Sequence, residues 1–424
     1  MNDIYEKYKK QSYLTLVCAT LANIAIGFQF TWSLIGKKLM AEYGFNASQA
    51  TLPYTLMAFV SGETAWLTGL IGKKFGPKVC IAMSGIIMGG GMILASITRN
   101  PVIIAIFAGA FFGFASVCVT SNSNPSVIQW FPVKMKGTVT GICNCGMAVV
   151  SLIFSPAINK LLAAVGVAKS LRYIGIALLV VMPIISMGFK KPPQEIVDAV
   201  AQEGKEQMVE RQSRQFKVWY PNADAKFSLK KIITWQMWIM YGFSMMEGKM
   251  FTSQAANIIT VEAGVAATAN VVAVLALGNL LGRFFAPMIS DRIGVFNVYK
   301  IINIIQISNM LLWATVYRSA GIMVFACFLV GLCQGACVPT IFSMCSQVYG
   351  KASLNIIFGI VTTSTGIMGL FNTQLAARIF DATGSYKTAF FVSGMFALAS
   401  LICNFLVRIP KDESDLVEQK TVNA

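Results

Sequence analysis

The sequence predicts an all-α membrane protein whose twelve transmembrane helices form two pseudo-symmetric six-helix bundles. Four observations carry that expectation. The 424 residues are 56% hydrophobic and only 12% charged. Their apolar runs are about 20 residues long, the length a helix needs to cross a ~30 Å hydrocarbon core. The chain also matches itself at a shift of 218 positions, and its Lys and Arg residues are unevenly divided between alternate loops.

The runs follow in order. The first, 13–36, is too long for a removable signal peptide and lacks a small-residue cleavage site. The second, 51–72, is preceded by Asn46-Ala47-Ser48. That tripeptide matches a glycosylation sequon, and it reads more simply as a loop and helix N-cap. The runs 79–98, 101–124, 137–160 and 168–188 complete a first set of six. A polar segment, about 189–231, rich in Lys, Arg, Glu and Gln, divides the chain. The second set is 232–256, 264–288, 299–317, 320–345, 354–377 and 386–408. The expected organisation is a six-helix half over 1–188, a cytoplasmic central loop over 189–231, a second half over 232–408 and a cytoplasmic tail over 409–424.

Orientation follows from the basic residues. With the N-terminus inside, the inner segments hold 23 Lys and Arg and the outer segments 9, the asymmetry of the positive-inside rule. The net charge of +16 therefore reads as membrane orientation. Nucleic-acid binding is not expected, because no basic patch is interleaved with exposed aromatics. The expectation is a monomeric, multi-pass protein of the plasma (inner) membrane, in contact with lipid, with both termini cytoplasmic.

The ten Cys residues all fall in the apolar runs, and the chain has no His. They read as small core hydrophobes, with no disulfide framework and no metal spacing. No cofactor is implied. No nucleotide-binding loop, nucleophile motif or paired catalytic carboxylates on a soluble domain appear. The central segment is too small and too polar to be an enzyme domain, so an enzyme is not expected.

The internal match needs no gap. Gly69-Leu70-Ile71-Gly72-Lys73-Lys74-Phe75-Gly76 lies over Pro287-Met288-Ile289-Ser290-Asp291-Arg292-Ile293-Gly294, Phe131 over Tyr349, and Gly141-Ile142 over Gly359-Ile360. Paired halves of this kind are how carriers that rock around a central site are built. The glycine-bounded segments resemble the cytoplasmic loop motif of the major facilitator superfamily, Gly-x-x-x-Asp-Arg/Lys-x-Gly. The second copy keeps Asp291, Arg292 and Gly294 but starts at Pro287. The first keeps Gly69 and Gly76 but has Lys73 where the resemblance calls for an acid that latches one conformation.

A narrower resemblance covers most of the chain. Gly27-Phe28-Gln29-Phe30-Thr31-Trp32-Ser33, Lys74-Phe75-Gly76-Pro77, Trp130-Phe131-Pro132 with Lys136-Gly137, and Gly282-Arg283 ahead of Ser290-Asp291-Arg292-Ile293-Gly294 are similar to the oxalate/formate antiporter family. That family is close to monocarboxylate transporters. The resemblance implies a major facilitator fold and makes Arg283 the substrate-binding arginine of the eighth helix. It also exposes departures. The lysine of the oxalate transporters' eleventh helix is Thr363 here, and cage aromatics become Phe30, Gln334 and Ile360.

Four charges fall inside apolar runs: Glu63, Glu247, Lys249 and Arg283. Each costs at least a few kcal/mol, ~2.5–3.5 on insertion scales, so such residues usually line a path or pair with a ligand. Arg283 suits a carboxylate, because a guanidinium grips it with two parallel hydrogen bonds. Its alternative is a structural ion pair with Glu63 or Glu247. The 218 shift places Glu247 and Lys249 over Gln29 and Thr31 of the first helix, and the resemblance to the major facilitator superfamily, whose first and seventh helices face the cavity, implies that both pairs face the centre. Residues two apart on a helix do not face each other, so Glu247 and Lys249 look to different neighbours. Lys249 either contacts substrate or snorkels outward. Glu247 and Glu63 are proton-binding acids or counter-ions, and Glu63 could also pack in a helix–helix contact. Phe30 and Trp32 could pack the apolar part of a substrate or simply fill the core. Polar runs at Thr120–Asn124, Asn144 and Thr362–Thr365 fit a water-lined path.

The expected function is secondary transport of a small organic anion by alternating access, driven by protons or by exchange. With one cationic anchor missing at Thr363, a monocarboxylate fits better than oxalate unless Lys249 substitutes. The rivals are an oxalate/formate-type antiporter, an exporter of hydrophobic compounds, and a non-transporting sensor with a carrier fold.

Overall fold

The apolar runs become long helices in the computed structural model, which describes residues 2–132, 135–198, 200, 218–220, 225–263, 269–315, 320–349 and 354–407. Helix α1 runs from Asn2–Gly27 through a tight turn at Phe28–Thr31 into Trp32–Tyr43. Helices α2 (47–75) and α3 (77–95) follow, then α4 (Pro101–Ile128), α5 (136–165) and α6 (167–186). The second set is α7 (Ile232–Ala263), α8 (Ala269–Ile293), α9 (Val295–Thr315), α10 (Ala320–Tyr349), α11 (Leu354–Thr383) and α12 (Lys387–Phe405). No strand occurs among the described residues. Nine of the described helical stretches are long and apolar enough to cross a membrane, and one of these, Ala47–Ala95, spans both α2 and α3.

Many helices overrun their apolar stretches. A hydropathy window sees only the lipid-facing length, whereas the helix goes on until a cap stops it. Asn46 shows this at the start of α2. Its side chain accepts from Gln49 N at 2.8 Å, and the Gln49 side chain accepts from Asn46 N at 3.2 Å, a reciprocal capping box.

The 218 repeat is written into the backbone. Gly76 breaks α2 from α3 at φ 80°, and Gly294 breaks α8 from α9 at φ 86°. Gly166 and Gly384 start the last helix of each half at φ 76° and 69°. Each pair is separated by the same shift. These backbones lie in the left-handed region that only glycine enters without strain. A carboxylate from the end of each half's first helix caps its last helix. Glu42 Oε2 accepts from Val167 N at 2.9 Å, and Glu262 Oε1 accepts from Tyr386 N at 2.7 Å. These acids satisfy orphan amides at helix N-termini.

Within each half, glycine faces bring backbones together. A methyl added at Gly282 would lie 2.0 Å from Leu332 O, and one at Gly335 would lie 2.0 Å from Asn279 O. Gly278, Gly282, Gly331 and Gly335 thus lock α8 to α10, the small-residue packing typical of membrane helices. Across the halves α2 meets α11 as closely. A methyl on Gly62 would sit 2.9 Å from Gly366 Cα.

This seam ends in a clasp on the face away from the chain ends. Asp381, near the end of α11, accepts from Ala47 N at 2.7 Å and Ser48 N at 3.0 Å, and from the Ser48 hydroxyl. Gln374 of α11 donates to Thr55 Oγ1 at 3.0 Å. Lys37 of α1 reaches Thr260 of α7 at 2.8 Å. The two halves are therefore tied together at that face.

On the opposite face, parts of the central segment dock. Trp219 N and Tyr220 N donate to Gln347 O and Val348 O at 3.1 and 2.8 Å, satisfying carbonyls in the last turn of α10. The Trp219 ring stacks on Phe296 at 5.3 Å. Glu195 pairs with Lys7 at 3.0 Å.

Candidate functional site

Arg283 lies at the junction of the halves. It lines a small gap with Ala276, Asn279 and Leu280 of α8 on one side and Phe30, Asn144 and Met147 of α1 and α5 on the other. The spacing Asn279-x-x-x-Arg283 puts both side chains on one face of α8. Arg283 Nε donates to Asn279 Oδ1 at 2.9 Å. One of the five guanidinium N–H donors is thereby fixed, and no second hydrogen bond of Arg283 occurs among the described residues. Asn279 in turn donates to Gln334 Oε1 at 3.3 Å, and Gln334 bonds Thr252 at 3.4 Å. The chain Arg283–Asn279–Gln334–Thr252 therefore runs α8–α8–α10–α7. Gly248 leaves room for Gln334, because a methyl there would lie 2.5 Å from its Cγ.

Lys249 takes another direction. Its stem crosses Gly369 of α11, where an added methyl would meet Cγ and Cδ at 3.6 and 3.7 Å and Ala58 of α2 at 3.9 Å. It therefore lies where α7, α11 and α2 meet, between the halves. Among the described residues the ion pairs are Lys7–Glu195, Lys9–Glu6 and Lys38–Glu42. The ion pair expected as the alternative role of Arg283 is not formed in this state, and neither intramembrane cation has a carboxylate partner among those residues.

The acids lie elsewhere. Glu63 sits in the α2–α11 seam, with Oε1 buried, without a hydrogen bond, and 3.1 Å from where a methyl on Gly366 would be. Glu247 turns away from the centre into the second half, beside Asn309 of α9 and near Cys333 and Cys337 of α10. Neither of its oxygens has a hydrogen-bond partner.

The other expected site residues divide. Phe30 lines the gap. Trp32 is fully buried and donates from Nε1 to Ala50 O at 3.1 Å, so it ties α1 to α2 inside the first half. Gln29 is half-buried and lies within the tight turn of α1. Thr363 accepts from Trp238 Nε1 at 3.0 Å. Of the loop motif, Gly76 and Gly294 form the turns, Gly69 has open space beside it, and Arg292 is exposed. The side chain of Asp291 lies outside the described residues. Asn279 was not anticipated, though its four-residue spacing from Arg283 was readable. Asn144 was expected only to line a path, and it accepts from Asn124 at 3.1 Å beside the gap. The ten Cys are all unpaired.

The fold and this centre define a membrane carrier built from two related halves. The family model of the Major Facilitator Superfamily matches residues 17–373, with a further match over 237–423, and the chain belongs to that family. It is 26% identical over 365 residues to the uncharacterized MFS-type transporter YhjX of Escherichia coli K12, covering 85% of this chain and 86% of the relative. It is 21% identical to the probable sulfoacetate transporter SauU of Cupriavidus necator, covering 89% and 90%. Among solved structures it superposes on a point mutant of the nucleoside transporter NupG with a TM-score of 0.69 at 13% identity, covering 92% of this chain and 99% of that one.

Proposed function

We propose that this major facilitator protein is a secondary active transporter of a small organic anion, most directly a monocarboxylate, working by alternating access with proton symport or anion exchange. The observation that carries the reading is the free guanidinium edge of Arg283, held in place by Asn279 and facing a gap between the halves. A carboxylate at that edge gains two charge-assisted hydrogen bonds. It also contacts side chains of both halves, so its binding energy can drive their rearrangement. Phe30, Met147, Ala276 and Leu280 give the gap an apolar wall for the rest of the molecule. The gap holds only about 10 Å³, room for about one water. The anion therefore enters when the halves part. The plasma membrane, with both chain ends in the cytoplasm, is the proposed setting, and the clasp at Asp381 then closes the outer side.

A second reading has its own observation. Lys249 lies between the halves with no acidic partner among the described residues. An anion with two charged ends would pair with Lys249 as well as with Arg283, and the similarity to a probable sulfoacetate transporter points the same way. Uptake of labelled lactate, pyruvate, formate and oxalate into proteoliposomes, with and without a pH gradient, tests both. Saturable lactate uptake lost in Arg283→Gln supports the first reading. Oxalate preferred over lactate supports the second. Uptake of none of the four removes both.

A further inference from the structure

The second half carries a buried polar stripe that the first half lacks. Asn303, Gln306 and Asn309 succeed each other on one face of α9 and are at most 2% exposed. The positions 218 earlier are Gly85, Met88 and Gly91. Ser244 and Ser400 correspond in the same way to Ile26 and Met182. In the first half these sites are ordinary apolar packing. In the second, Ser244 Oγ donates to Asn303 Oδ1 at 2.7 Å, Ser244 and Ser400 hydroxyls lie 2.9 Å apart, and Asn303 Nδ2 donates to Ser400 Oγ at 3.0 Å. Tyr299 Oη and Ser400 Oγ both donate to Met240 O at 3.1 Å. The column follows α9 inward from the face that carries the chain ends.

At its inner end several acceptors lie without a partner. Gln306 gives one amide N–H to Ser244 O at 2.7 Å, and Asn309 gives one to Ala326 O at 3.1 Å. Those bonds fix which end of each amide is oxygen. Gln306 Oε1, Asn309 Oδ1 and both oxygens of Glu247 are left buried without a partner. Glu247 is 2% exposed. Around it stand Asn309 from α9, Cys333 and Cys337 from α10, and Asn372 of α11, which holds the neighbouring Met246 O at 2.8 Å. No ion pair joins it among the described residues. A buried carboxylate with neither a hydrogen bond nor an ion pair is unfavourable. One added proton converts a Glu247 oxygen into a donor and removes the unpaired charge.

We infer that Glu247 is the proton-loading site of this carrier, set inside the second half apart from Arg283 and connected along the α9 polar column to the face of the chain ends. Loading forms an O–H bond on a Glu247 oxygen, with water as the proton source. Unloading breaks that bond and returns the proton to water. Proton and anion therefore influence each other through the movement of α7, which carries both Glu247 and Lys249. The inference rests on the organic-anion reading for its coupling, while the site itself does not.

The test keeps those two apart. Infrared difference spectra of the purified full-length protein, titrated with acid and base and without substrate, report the carbonyl stretch of a protonated acid. Wild type should show a titrating band that Glu247→Gln removes and Glu247→Asp retains at a shifted midpoint. An unchanged spectrum in Glu247→Gln overturns the site, as does a band that responds to sodium and not to pH. In proteoliposomes with labelled lactate, the ratio of pH-driven accumulation to equal-pH counterflow should fall at least about tenfold in Glu247→Gln. A ratio equal to wild type overturns the coupling. Lactate counterflow absent from wild type, beside a normal infrared titration, would count against the monocarboxylate and not against the proton site.

Discussion

Replacing Asp381 with Ala removes the clasp that joins α11 to the first turn of α2. Its carboxylate receives two backbone N–H bonds, at 2.7 and 3.0 Å, and the Ser48 hydroxyl. Hydrogen bonds to a charged group are worth ~1.5–3 kcal/mol each when buried. Asp381 is exposed, so water replaces part of that gain, and the ~0.5–2 kcal/mol of a helix N-cap is the better guide. Allowing for Gln374–Thr55 and Lys37–Thr260, which stay in place, the closed state should lose about 1–2 kcal/mol. That raises the population open at this face roughly 5–30-fold. The assay uses a background without the ten native cysteines and a single Ala58→Cys, buried in the seam below the clasp. The rate of labelling by an impermeant maleimide from outside should rise by that factor in Asp381→Ala, with Asp381→Asn in between. A rate that is unchanged or slower refutes the clasp.

Other consequences are testable alongside. Thr363→Lys should raise oxalate affinity relative to lactate by about tenfold or more, since a charge-assisted bond is worth ~1.5–3 kcal/mol; competition assays read this, and Lys249→Met in the same assay should lower oxalate binding if Lys249 already serves as the second anchor. Gly335→Ala places a methyl 2.0 Å from the backbone oxygen of Asn279, and overpacking of this kind costs ~1–3 kcal/mol, so the thermal midpoint should drop and lactate uptake with it, because Asn279 positions Arg283. A single cysteine at Glu195, exposed beside Lys7, should label only from the cytoplasmic side; labelling only from outside would invert the proposed topology.

Much of this architecture was legible in the sequence because hydropathy and repetition are local or periodic signals. The 218 shift anticipated that Gly76 and Gly294 do the same backbone work, and the pair Gly166 and Gly384 was equally readable. Arg283 stood out because a guanidinium in an apolar run has few benign explanations. Helix rotation was not legible. Glu247 was placed at the centre by its match to Gln29 and by the family resemblance, yet it turns into the second half, beside Asn309 of α9. Trp32 reads like a site aromatic, but its indole N–H finds Ala50 O and stays in the core. The Asp381–Ala47 clasp joins residues more than three hundred positions apart, and only the packing of α2 against α11 brings them together.

In the proposed transport cycle Arg283 holds an organic anion between the two halves. Equilibrium binding of labelled lactate to the detergent-purified protein, wild type against Arg283→Gln and Arg283→Lys, tests it most directly. Losing a bidentate charged contact should weaken binding roughly ten- to a hundredfold or more in Arg283→Gln, from ~1.5–3 kcal/mol per bond. Arg283→Lys should retain part of it, because an ammonium keeps the charge without the fork. Equal affinity in folded Arg283→Gln and wild type would contradict the account.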